Sequence, residues 1–544
     1  MRPVMNVAVE AVVRKHLGGL PAVSEVLRRL ELAGIVDELC PVRDIADVTH
    51  GQVIEVLIAN RLTSPMPLQR VGDWAAAWAV EEVFGIESGL LNDDRLARAL
   101  DAIAPRLDAI AGSVGAAAIA GFGIDVSKIH WDMTSMSVHG AYPADDQDEA
   151  FPQVKYGHPK DRRVDLKQVQ AGLGVSADGG VPVFSKVLDG GAAEVAQVVT
   201  AMNGLRKIAG AQRFLMVADS KLVSWNNITA LVAAGVDFIA PAPAAKIPDG
   251  FYAGLDLAAA QTVDYVPARD QDKPADQREV YRVLEDTYLL PGPRKRDAPV
   301  PLRRVLVHSS GNAAGQRQAR DKRLAKAATE LDKLAAGAGG RFYNTADKIA
   351  ARAGVIAKTR RVAKVLYTAT GTDPDTGRPT FTWSWDDAAV TTEAAADGWY
   401  ALLTPINDAP SSTAAVLLHY KSQGAVERRY GDFKGPLAVT PVFVQKNSRV
   451  AALVQVICLA LLVFSLIERQ VRQALGGDGK MTGLYPGNRR ARPTARMILY
   501  ALSGLELHIG DITHPPTVAF ARGIHIHLLD LLGIEVIQPR WPEP

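Results

Sequence analysis

Residues 420–434 read YKSQGAVERRYGDFK, and their polar side chains recur at spacings that a helix would gather onto one surface. The opposite face would carry apolar residues such as Val426 and Phe433, and the pair Gly435-Pro436 would end the helix. The pattern therefore predicts one continuous helix on which a single carboxylate lies between a phenol and an ammonium. The residues that would share the polar face are Tyr420, Gln423, Glu427, Tyr430 and Lys434.

Two glycines interrupt this predicted helix, Gly424 and Gly431. Each is less favourable in a helix interior than alanine, by about 1 kcal/mol. Either something approaches the backbone closely at these positions, or the glycines are tolerated. A glutamate flanked by Lys and Arg is also typical of a solvated helix face with exposed ion pairs. The stretch alone therefore leaves a structural and a functional interpretation open.

Length and composition indicate a globular protein with several domains. A chain of 544 residues is expected to divide into about two to four domains, and 48% apolar and 22% charged residues are ordinary contents. Cys40 and Cys458 are too few for a disulfide framework or a zinc site, which fits a reducing cytoplasm. The apolar run 450–467 reaches the lower length limit of a membrane span but contains Gln455 and Ser465. We interpret it as a buried core helix and expect no membrane association.

Charge is distributed unevenly along a chain whose formal net charge is only +2. Residues 1–120 hold 11 Lys/Arg and 16 Asp/Glu, a balance of −5. Residues 294–364 hold 18 Lys/Arg and 5 Asp/Glu, a balance of +13. A basic segment of this size is a candidate phosphate-binding surface, although a solvated helix also explains much of it.

Helical periodicity dominates the beginning of the chain. Apolar residues recur at helical spacing, Thr49 and Gln52 stand in capping-box register, and Asn92 is a predicted helix cap. We predict an all-helical domain over residues 1–115. The small-residue stretch 111–123 is the predicted linker to the next domain.

Strand-like alternation begins near residue 128. The segment KIHWDMTSMSVHG contains Asp132, and residues 166–190 show two strand patterns joined at a hairpin turn signal, Asp178-Gly179-Gly180. A helix follows, then a short apolar strand that ends at Asp219, then a further helix and strand. This order predicts a mixed α/β sheet. An aspartate at a strand end is also a common turn or cap residue.

Residues 247–410 interrupt the α/β pattern. Loop-like sequence and the basic helix come first, and three strand patterns follow, the first two joined by the turn GTDPDTG. Trp383, Trp385 and Trp399 lie on these strands. The simplest role for them is to pack the faces of a small sheet.

The spacing Tyr-x2-Gln-x3-Glu-x6-Lys at 420–434 resembles the Tyr-x2-Arg-x3-Glu-x6-Lys signature of DDE-type insertion-sequence transposases, with Gln423 where the signature has Arg. The resemblance covers most of 125–470 and is to the insertion-sequence family four superfamily, in its sixteen-thirty-four-like branch. It implies an α/β fold: a ribonuclease-H-like mixed sheet with a partly β insertion, preceded by an all-helical N-terminal domain. The implied segments are the helical domain 1–115, the catalytic core 125–246 and 411–475, the insertion 247–410 and a helical C-terminal segment 476–544.

The same resemblance makes Asp132, Asp219 and Glu427 the catalytic carboxylates and the ligands of two Mg²⁺ or Mn²⁺ ions. Hard oxygen ligands suit these cations, and two such ions can activate an attacking oxygen and stabilise a leaving one. The implied activity is that of a transposase. Such an enzyme cleaves DNA at the ends of its insertion sequence and transfers the 3′-OH ends to target DNA.

The resemblance also implies a set of DNA contacts. Gln423 lacks the charge and the bidentate fork of Arg, so we expect either weaker binding of the element's ends at that position or compensation from Arg428 or Arg429. An aromatic residue of the insertion is expected to stack on a base, and a solvated loop is the alternative for the basic residues near 160. The implied contact residues are Tyr420, Gln423, Lys434, Arg428, Lys160, Arg162, Trp383 and Trp399.

The partners implied are double-stranded DNA, as terminal inverted repeats and as target, and a second copy of the chain in a homodimer on DNA. The implied location is the bacterial cytoplasm, in association with the nucleoid. The alternative function is a catalytically silent DNA-binding protein, either a decayed transposase or a repressor of its own element. Loss of divalent-metal binding when Glu427 becomes Gln would separate the two.

Overall fold

A computed structural model of the chain describes residues 13–159, 162–210, 212–405, 411–435, 437, 444–509, 516–519 and 521–534. Its elements belong to two units. The first unit comprises Met1–Phe238 and Ser422–Pro544, and the second comprises Ile239–Lys421. The segment boundaries inferred from the sequence stay a prediction.

The beginning of the first unit is mostly helical because its apolar residues lie on helix faces and its helices are capped. The Thr49 hydroxyl accepts a hydrogen bond from the Gln52 N–H over 3.1 Å, and the Gln52 side chain accepts one from the Thr49 N–H over 2.9 Å. Asn92 caps its helix through the Arg95 N–H, as predicted. The elements are β1 Val13–His16, α1 Leu20–Arg29, α2 Leu32–Leu39, α3 His50–Thr63, α4 Val71–Ala77, α5 Val80–Phe84, α6 Asp93–Ile103 and α7 Leu107–Phe122.

Two expectations for this part are wrong. The part is not all-helical, because β1 pairs antiparallel with a strand of the C-terminal segment, Glu506–Ile509. The stretch 111–123 is not a linker, because all but its last residue lie in α7, which Gly123 caps with φ +58°. Its alanines favour a helix, and its small residues allow close packing: a Cβ on Gly115 would lie 2.2 Å from the Val183 carbonyl oxygen.

The mixed sheet predicted after residue 128 is confirmed. In the first unit its strands lie in the order β4-β3-β2-β5, with β2 antiparallel to β3 and parallel to β5. Gly179 and Gly180 both have positive φ in the predicted hairpin turn. The elements are β2 Lys128–Val138, β3 Lys167–Ser176, β4 Pro182–Leu188, α8 Glu194–Ala209, β5 Leu215–Ala218, α9 Trp225–Ala233 and β6 Asp237–Pro241.

In the second unit the strands lie in the order β6-β12-β9-β8-β7, and β10 and β11 form a separate antiparallel pair. The basic helix and the three predicted strands are present. The long strands β8 and β9 and the helix α11 were not predicted. The elements after β6 are β7 Gln261–Val263, β8 Tyr281–Leu290, β9 Val300–Ser309, α10 Ser310–Gly337, α11 Ala346–Arg360, β10 Leu366–Thr372, β11 Pro379–Trp385, α12 Asp387–Ala395, β12 Trp399–Pro405 and α13 Thr413–Lys421.

The chain returns to the first unit at Ser422. The apolar run 450–467 lies in α15 and is buried along its whole length, as predicted for a core helix. By length and composition alone, α15 and the segment 93–122 would each be able to cross a membrane; in their most apolar windows they are 100% and 39% buried. The elements are α14 Gly424–Lys434, α15 Asn447–Ala474, α16 Ala495–Leu502, β13 Glu506–Ile509, β14 Thr517–Ala519 and α17 Gly523–Leu531.

Glu55 on α3 is a mostly buried carboxyl group whose Oε1 accepts a hydrogen bond from the Ala33 N–H over 3.2 Å. Burial raises the pKa of Glu55 from 4.5 to about 7, against the effect of that hydrogen bond and with a small contribution from the Asp37 charge. The folded state therefore holds this proton more tightly than the unfolded state. Stability is highest below about pH 4.5 as far as Glu55 is concerned, and is lost as the pH rises through about 7.

Between pH 5 and pH 8, Glu55 is expected to lower the unfolding free energy of the natural protein by about 3 kcal/mol. We expect this decrease to be absent in Glu55→Gln. Glutamine keeps the acceptor for the Ala33 N–H and carries no titrating proton. Urea unfolding across this pH range measures the effect, with the exposed Glu87→Gln as the control. Parallel pH profiles for the natural protein and Glu55→Gln would contradict the prediction.

Candidate carboxylate site at the end of strands β2 and β5

Strand register places Asp132 beside Asp219. The strands β2 and β5 run parallel, and their last registered pair is Trp131 with Ala218, so the next residue on each chain is an aspartate. Neighbouring strands lie about 4.8 Å apart. Two carboxylates distant in sequence therefore lie side by side at one end of the sheet.

Each aspartate uses one oxygen locally. Asp132 Oδ1 accepts a hydrogen bond from the Met133 N–H over 2.7 Å. Asp219 Oδ1 accepts one from the Lys221 N–H over 2.9 Å, so Asp219 caps the short helical turn that follows β5. The capping role considered from the sequence is therefore real for Asp219. It occupies one carboxylate oxygen and does not conflict with a second role.

Helix α14 brings Glu427 toward the same end of the sheet. Tyr430 is buried and donates a hydrogen bond from its hydroxyl group to the Asp132 carbonyl oxygen. Glu427 stands one turn before Tyr430, and residues at this spacing are neighbours on a helix surface. Val426 and Phe433 are buried, as predicted for the apolar face, and Glu427 is exposed.

The pKa of Tyr430 is affected by the negative charges around the site. Burial raises its pKa well above the ordinary value of 10, and the negative charge of Asp132 raises it further, with a smaller effect of Glu194. Glu194 begins α8 and is a further acidic residue whose charge acts on Tyr430. Sequence reasoning missed it because a glutamate in the first turn of a helix is a common capping feature.

His130 is a second residue that the sequence prediction missed. It stands two positions before Asp132 on β2, so both side chains point to the same face of the sheet. His130 is fully buried, and its Nε2 lies 3.1 Å from the Ser422 hydroxyl oxygen. This contact fixes the chain just before α14 begins. The strand alternation at i and i+2 was the signal that could have singled it out.

The signature stretch is not one helix, which corrects the first prediction. Helix α13 ends at Lys421, a turn occupies residues 422–423, and α14 begins at Gly424. Tyr420 consequently belongs to the second unit, where its ring packs against Tyr400 with centroids 6.4 Å apart. The five polar residues do not share a single helix face, since Gln423 only precedes α14 and makes no side-chain cap bond.

The two glycines of α14 do not owe their presence to close packing within the described chain. A Cβ on Gly424 or Gly431 would meet nothing within 4 Å among the described residues. Of the alternatives stated from the sequence, an approach by another segment of the described structure is therefore wrong. Two explanations remain: the glycines are tolerated, or another molecule approaches the helix at these positions.

The two arginines after Glu427 have opposite environments. Arg428 is exposed, as a DNA contact requires. Arg429 is 1% exposed, and it donates to the Gly180 carbonyl oxygen over 2.7 Å and to the Gly179 carbonyl oxygen over 2.9 Å. Arg429 is therefore wrong as a substitute for the missing signature Arg. It anchors α14 to the β3–β4 turn.

A buried ion-pair group extends this anchor. Glu468 on α15 is 1% exposed and pairs with Arg429 at 2.9 Å and with Arg472 at 2.7 Å. Its other oxygen accepts a hydrogen bond from the Ala495 N–H over 3.0 Å. Helices α14, α15 and α16 and the hairpin turn are thus joined through one carboxylate, so the position of α14 depends on it.

The remaining predicted contacts are dispersed. Lys434 is exposed at the end of α14, and Arg162 is exposed with φ +62°, whereas Lys160 lies outside the described residues. Trp399 is 6% exposed and packs edge-to-face on His308, so burial argues against base stacking at this position. Trp383 is half-buried and donates from Nε1 to Asp332 over 3.1 Å, as a sheet-packing residue would.

The donor atoms at this site are of the type that Mg²⁺ and Mn²⁺ prefer. Asp132 and Asp219 are adjacent, and α14 carries Glu427 at the same end of the sheet. Within the described ranges, however, no group of three or more His, Cys, Asp or Glu side chains lies close enough together to hold a metal ion. The geometry thus provides an adjacent pair of acids and a third acid on a neighbouring helix.

Comparisons with known proteins add little to this geometry. Residues 12–106 match the model of a family described as Domain of unknown function (DUF4277). No curated protein matches the chain. Among solved structures, the chain is similar to a piggyBac transposase synaptic complex with hairpin DNA, at 8% identity and a TM-score of 0.38, covering 90% of this chain and 82% of that one. A likeness at this level supports no statement about function.

Proposed function

We propose that the chain is a DDE transposase, a metal-dependent DNA nuclease and strand transferase. The observation that carries the proposal is the strand register that sets Asp132 beside Asp219, with the Glu427 helix hydrogen-bonded to the Asp132 carbonyl oxygen. The strand order β4-β3-β2-β5, with β5 parallel to β2, supports a ribonuclease-H-like core. The DNA is cleaved at the element's ends, and the freed 3′-OH attacks target DNA.

In this proposal Asp132 and Asp219 hold divalent cations from the strand side, and Glu427 does so from the helix side. Bound Mg²⁺ or Mn²⁺ supplies a Lewis acid and an activated oxygen nucleophile. Mg²⁺ is commonly held by one or two carboxylates together with substrate phosphates, so an exposed third carboxylate is consistent with a site completed by DNA. Tyr430 positions Glu427 by tying α14 to β2.

The DNA contacts proposed around this site are Arg428, Gln423 and Lys434 on or beside α14, with Tyr420, Arg162, Lys160 and Trp383 as further candidates. Lys and Arg contribute charge that is attracted to phosphate, while Gln423 contributes a neutral hydrogen bond. The partners proposed are terminal-repeat DNA, target DNA and a second copy of the chain on DNA. The proposed location is the bacterial cytoplasm.

Glu427→Gln tests the proposal directly. We expect metal-dependent cuts at the boundary of the repeats flanking the gene, and their loss in Glu427→Gln, because an amide is a much weaker ligand for a hard cation than a carboxylate. The measurement is cleavage of a labelled repeat fragment with Mg²⁺ or Mn²⁺. Glu87→Gln, at an exposed position outside the site, is the control. Equal cutting by Glu427→Gln and the natural protein would remove Glu427 from the mechanism.

The basic helix α10 of the second unit is the proposed phosphate-binding surface. Arg320 pairs with Asp397 at 2.7 Å, and Arg323 donates a hydrogen bond to Glu393, so these two cations are neutralised within the unit. Among the described residues, no acidic partner within ion-pair distance accompanies the exposed cations Arg317, Lys322, Lys326 and Lys333.

We expect the triple substitution Lys322→Gln, Lys326→Gln, Lys333→Gln to make DNA binding less salt-dependent. Each lost phosphate contact lowers the slope of log K against log salt concentration by about 0.9, so three contacts account for a change of about 2.7. Fluorescence anisotropy with a repeat duplex between 50 and 200 mM salt, roughly the range over which such effects are large, measures it. Lys207→Gln on α8 is the control, and an unchanged slope in the triple variant would exclude α10.

One observation favours the alternative, a catalytically silent DNA-binding protein: no three-ligand metal cluster exists among the described residues. Divalent-metal binding distinguishes the two functions. A silent binder has no need of a site that weakens in Glu427→Gln, and it binds the repeats without cutting them in any metal.

A further inference from the structure

A cavity of about 250 Å³ lies in the first unit, away from the carboxylates. It is formed where the end of α3 meets α16 and the core helix α15. The residues that decide its chemistry are two arginines, Arg61 and Arg496, and two aromatic residues, Trp78 and Tyr500. No acidic side chain is among the described residues that line it.

Arg61 is a buried cation with no carboxylate within ion-pair distance among the residues that the structure describes. It is 8% exposed, and its Nη2 donates to the Met66 carbonyl oxygen over 2.8 Å. Its Nε is buried without a hydrogen-bond partner in the described structure. Burial alone lowers the pKa of Arg61, since no neighbouring charge acts on it. A buried guanidinium is unfavourable unless an anion accompanies it.

Arg496 adds a second positive charge at the cavity. It is exposed on α16, and no carboxylate of the described chain lies within ion-pair distance of it. Two of the cavity's hydroxyl groups are already engaged, because Thr63 donates to the Ala59 carbonyl oxygen and Ser503 to the Tyr500 carbonyl oxygen. The guanidinium groups and the Tyr500 hydroxyl therefore remain as the donors available to a ligand.

We propose that this cavity binds a phosphate group between Arg61 and Arg496. Arginine presents a planar set of N–H donors that matches phosphate oxygens, and the anion would supply the charge that Arg61 lacks. Exposed Tyr500 offers a ring face to a sugar or base attached to that phosphate, whereas Trp78 lines the cavity while its ring packs against His16 and Trp74. Two sources carry this chemistry, the backbone of DNA and a free nucleotide. The inference does not depend on the proposed nuclease activity, since phosphate binding requires no metal.

The test uses the full chain without divalent metal, titrated separately with inorganic phosphate, a deoxynucleoside monophosphate and a DNA duplex. Thermal stabilisation measures the first two and anisotropy the third. We expect Arg61→Met to weaken binding between about 10-fold and 100-fold, because hydrogen bonds to charged groups are worth about 1.5–3 kcal/mol. Arg496→Met is expected to have an effect in the same direction. Arg43→Met, an exposed arginine outside the cavity, is the control.

The probes separate the sources. If the Arg61 and Arg496 variants bind the duplex more weakly, the ligand is a DNA phosphate. If they bind only the mononucleotide more weakly, the ligand is a free nucleotide. Arg496 is exposed, so its variant keeps the test valid if Arg61→Met does not fold. If Arg496→Met, and Arg61→Met where it folds, bind all three probes as tightly as the natural protein, the proposal is wrong.

Discussion

Asp132→Asn is expected to reduce metal-dependent DNA cleavage by about 10³-fold or more, since metal ions contribute several kcal/mol of transition-state stabilisation and each 1.36 kcal/mol is a factor of about ten. Asparagine keeps a carbonyl oxygen that can accept the bond from the Met133 N–H. Local structure is therefore preserved, and only the charge and one metal-binding oxygen are lost. Quantitative cleavage of a repeat fragment measures the change, and duplex binding by the same variant is expected to stay close to that of the natural protein.

Asp219→Asn is the matched companion. Its side-chain oxygen still caps the turn through the Lys221 N–H, because Asn and Asp are equivalent helix caps. If both aspartates hold the same ions, the double variant cleaves no more slowly than either single variant, since groups that act as a unit are not additive. Any stabilisation of the natural protein by Mg²⁺ or Mn²⁺ should also disappear in all three. Cleavage by Asp132→Asn at the natural rate would exclude the site.

The neighbouring positions of the two aspartates were predictable in part. Strand alternation and the glycine turn signal placed β2, β3 and β4 correctly, because these patterns are local. The register that pairs β2 with β5 joins residues nearly ninety positions apart. Sequence pattern indicates that both strands exist, and only the fold shows that Asp132 and Asp219 are adjacent.

The failure at 420–434 has a different cause. The regular spacing of the polar residues predicts one helix only if the helix is continuous, but a turn at 422–423 separates α13 from α14. Spacing carries no information about such a break. In the second unit, β8 and β9 escaped prediction because adjacent charged pairs, Glu285-Asp286 and Arg303-Arg304, break their alternation and Pro-rich loops precede them. The strands β8 and β9 pair with each other, and β9 also pairs with β12, and a local sequence pattern does not indicate such pairings.

Arg429 is a single residue whose environment likewise depends on long-range contacts. In sequence it is one of two adjacent arginines next to a candidate catalytic acid, and only its helical spacing from Val426 and Phe433 separates it from Arg428. Besides the local ion pair with Asp432 at 3.0 Å, its contacts are to Gly179, Gly180 and Glu468, which are distant along the chain. Burial of a charged residue depends on such long-range partners. This difference between adjacent arginines provides the second large expected effect.

Arg429→Met is expected to lower the free energy of unfolding of the first unit by about 3–5 kcal/mol, the usual loss when one partner of a buried ion pair is removed. Two carbonyl oxygens of the hairpin turn lose their donor, and Glu468 keeps only Arg472 and the Ala495 N–H. Urea unfolding measures the change. The adjacent Arg428→Met is the control, since an exposed substitution typically changes stability by less than about 0.5 kcal/mol.

Adding Glu468→Gln to Arg429→Met should recover part of that loss, because the buried carboxylate, which Arg472 alone would still pair, is then replaced by a neutral side chain. Recovery would assign the destabilisation to the ion pair, while no recovery would assign it to the two turn carbonyls. A loss below about 1 kcal/mol in Arg429→Met, well under the usual cost of breaking a buried pair, would contradict the anchoring role. Since Arg429 and Glu427 share α14, the same anchor that stabilises the unit also determines where the third carboxylate lies relative to Asp132 and Asp219.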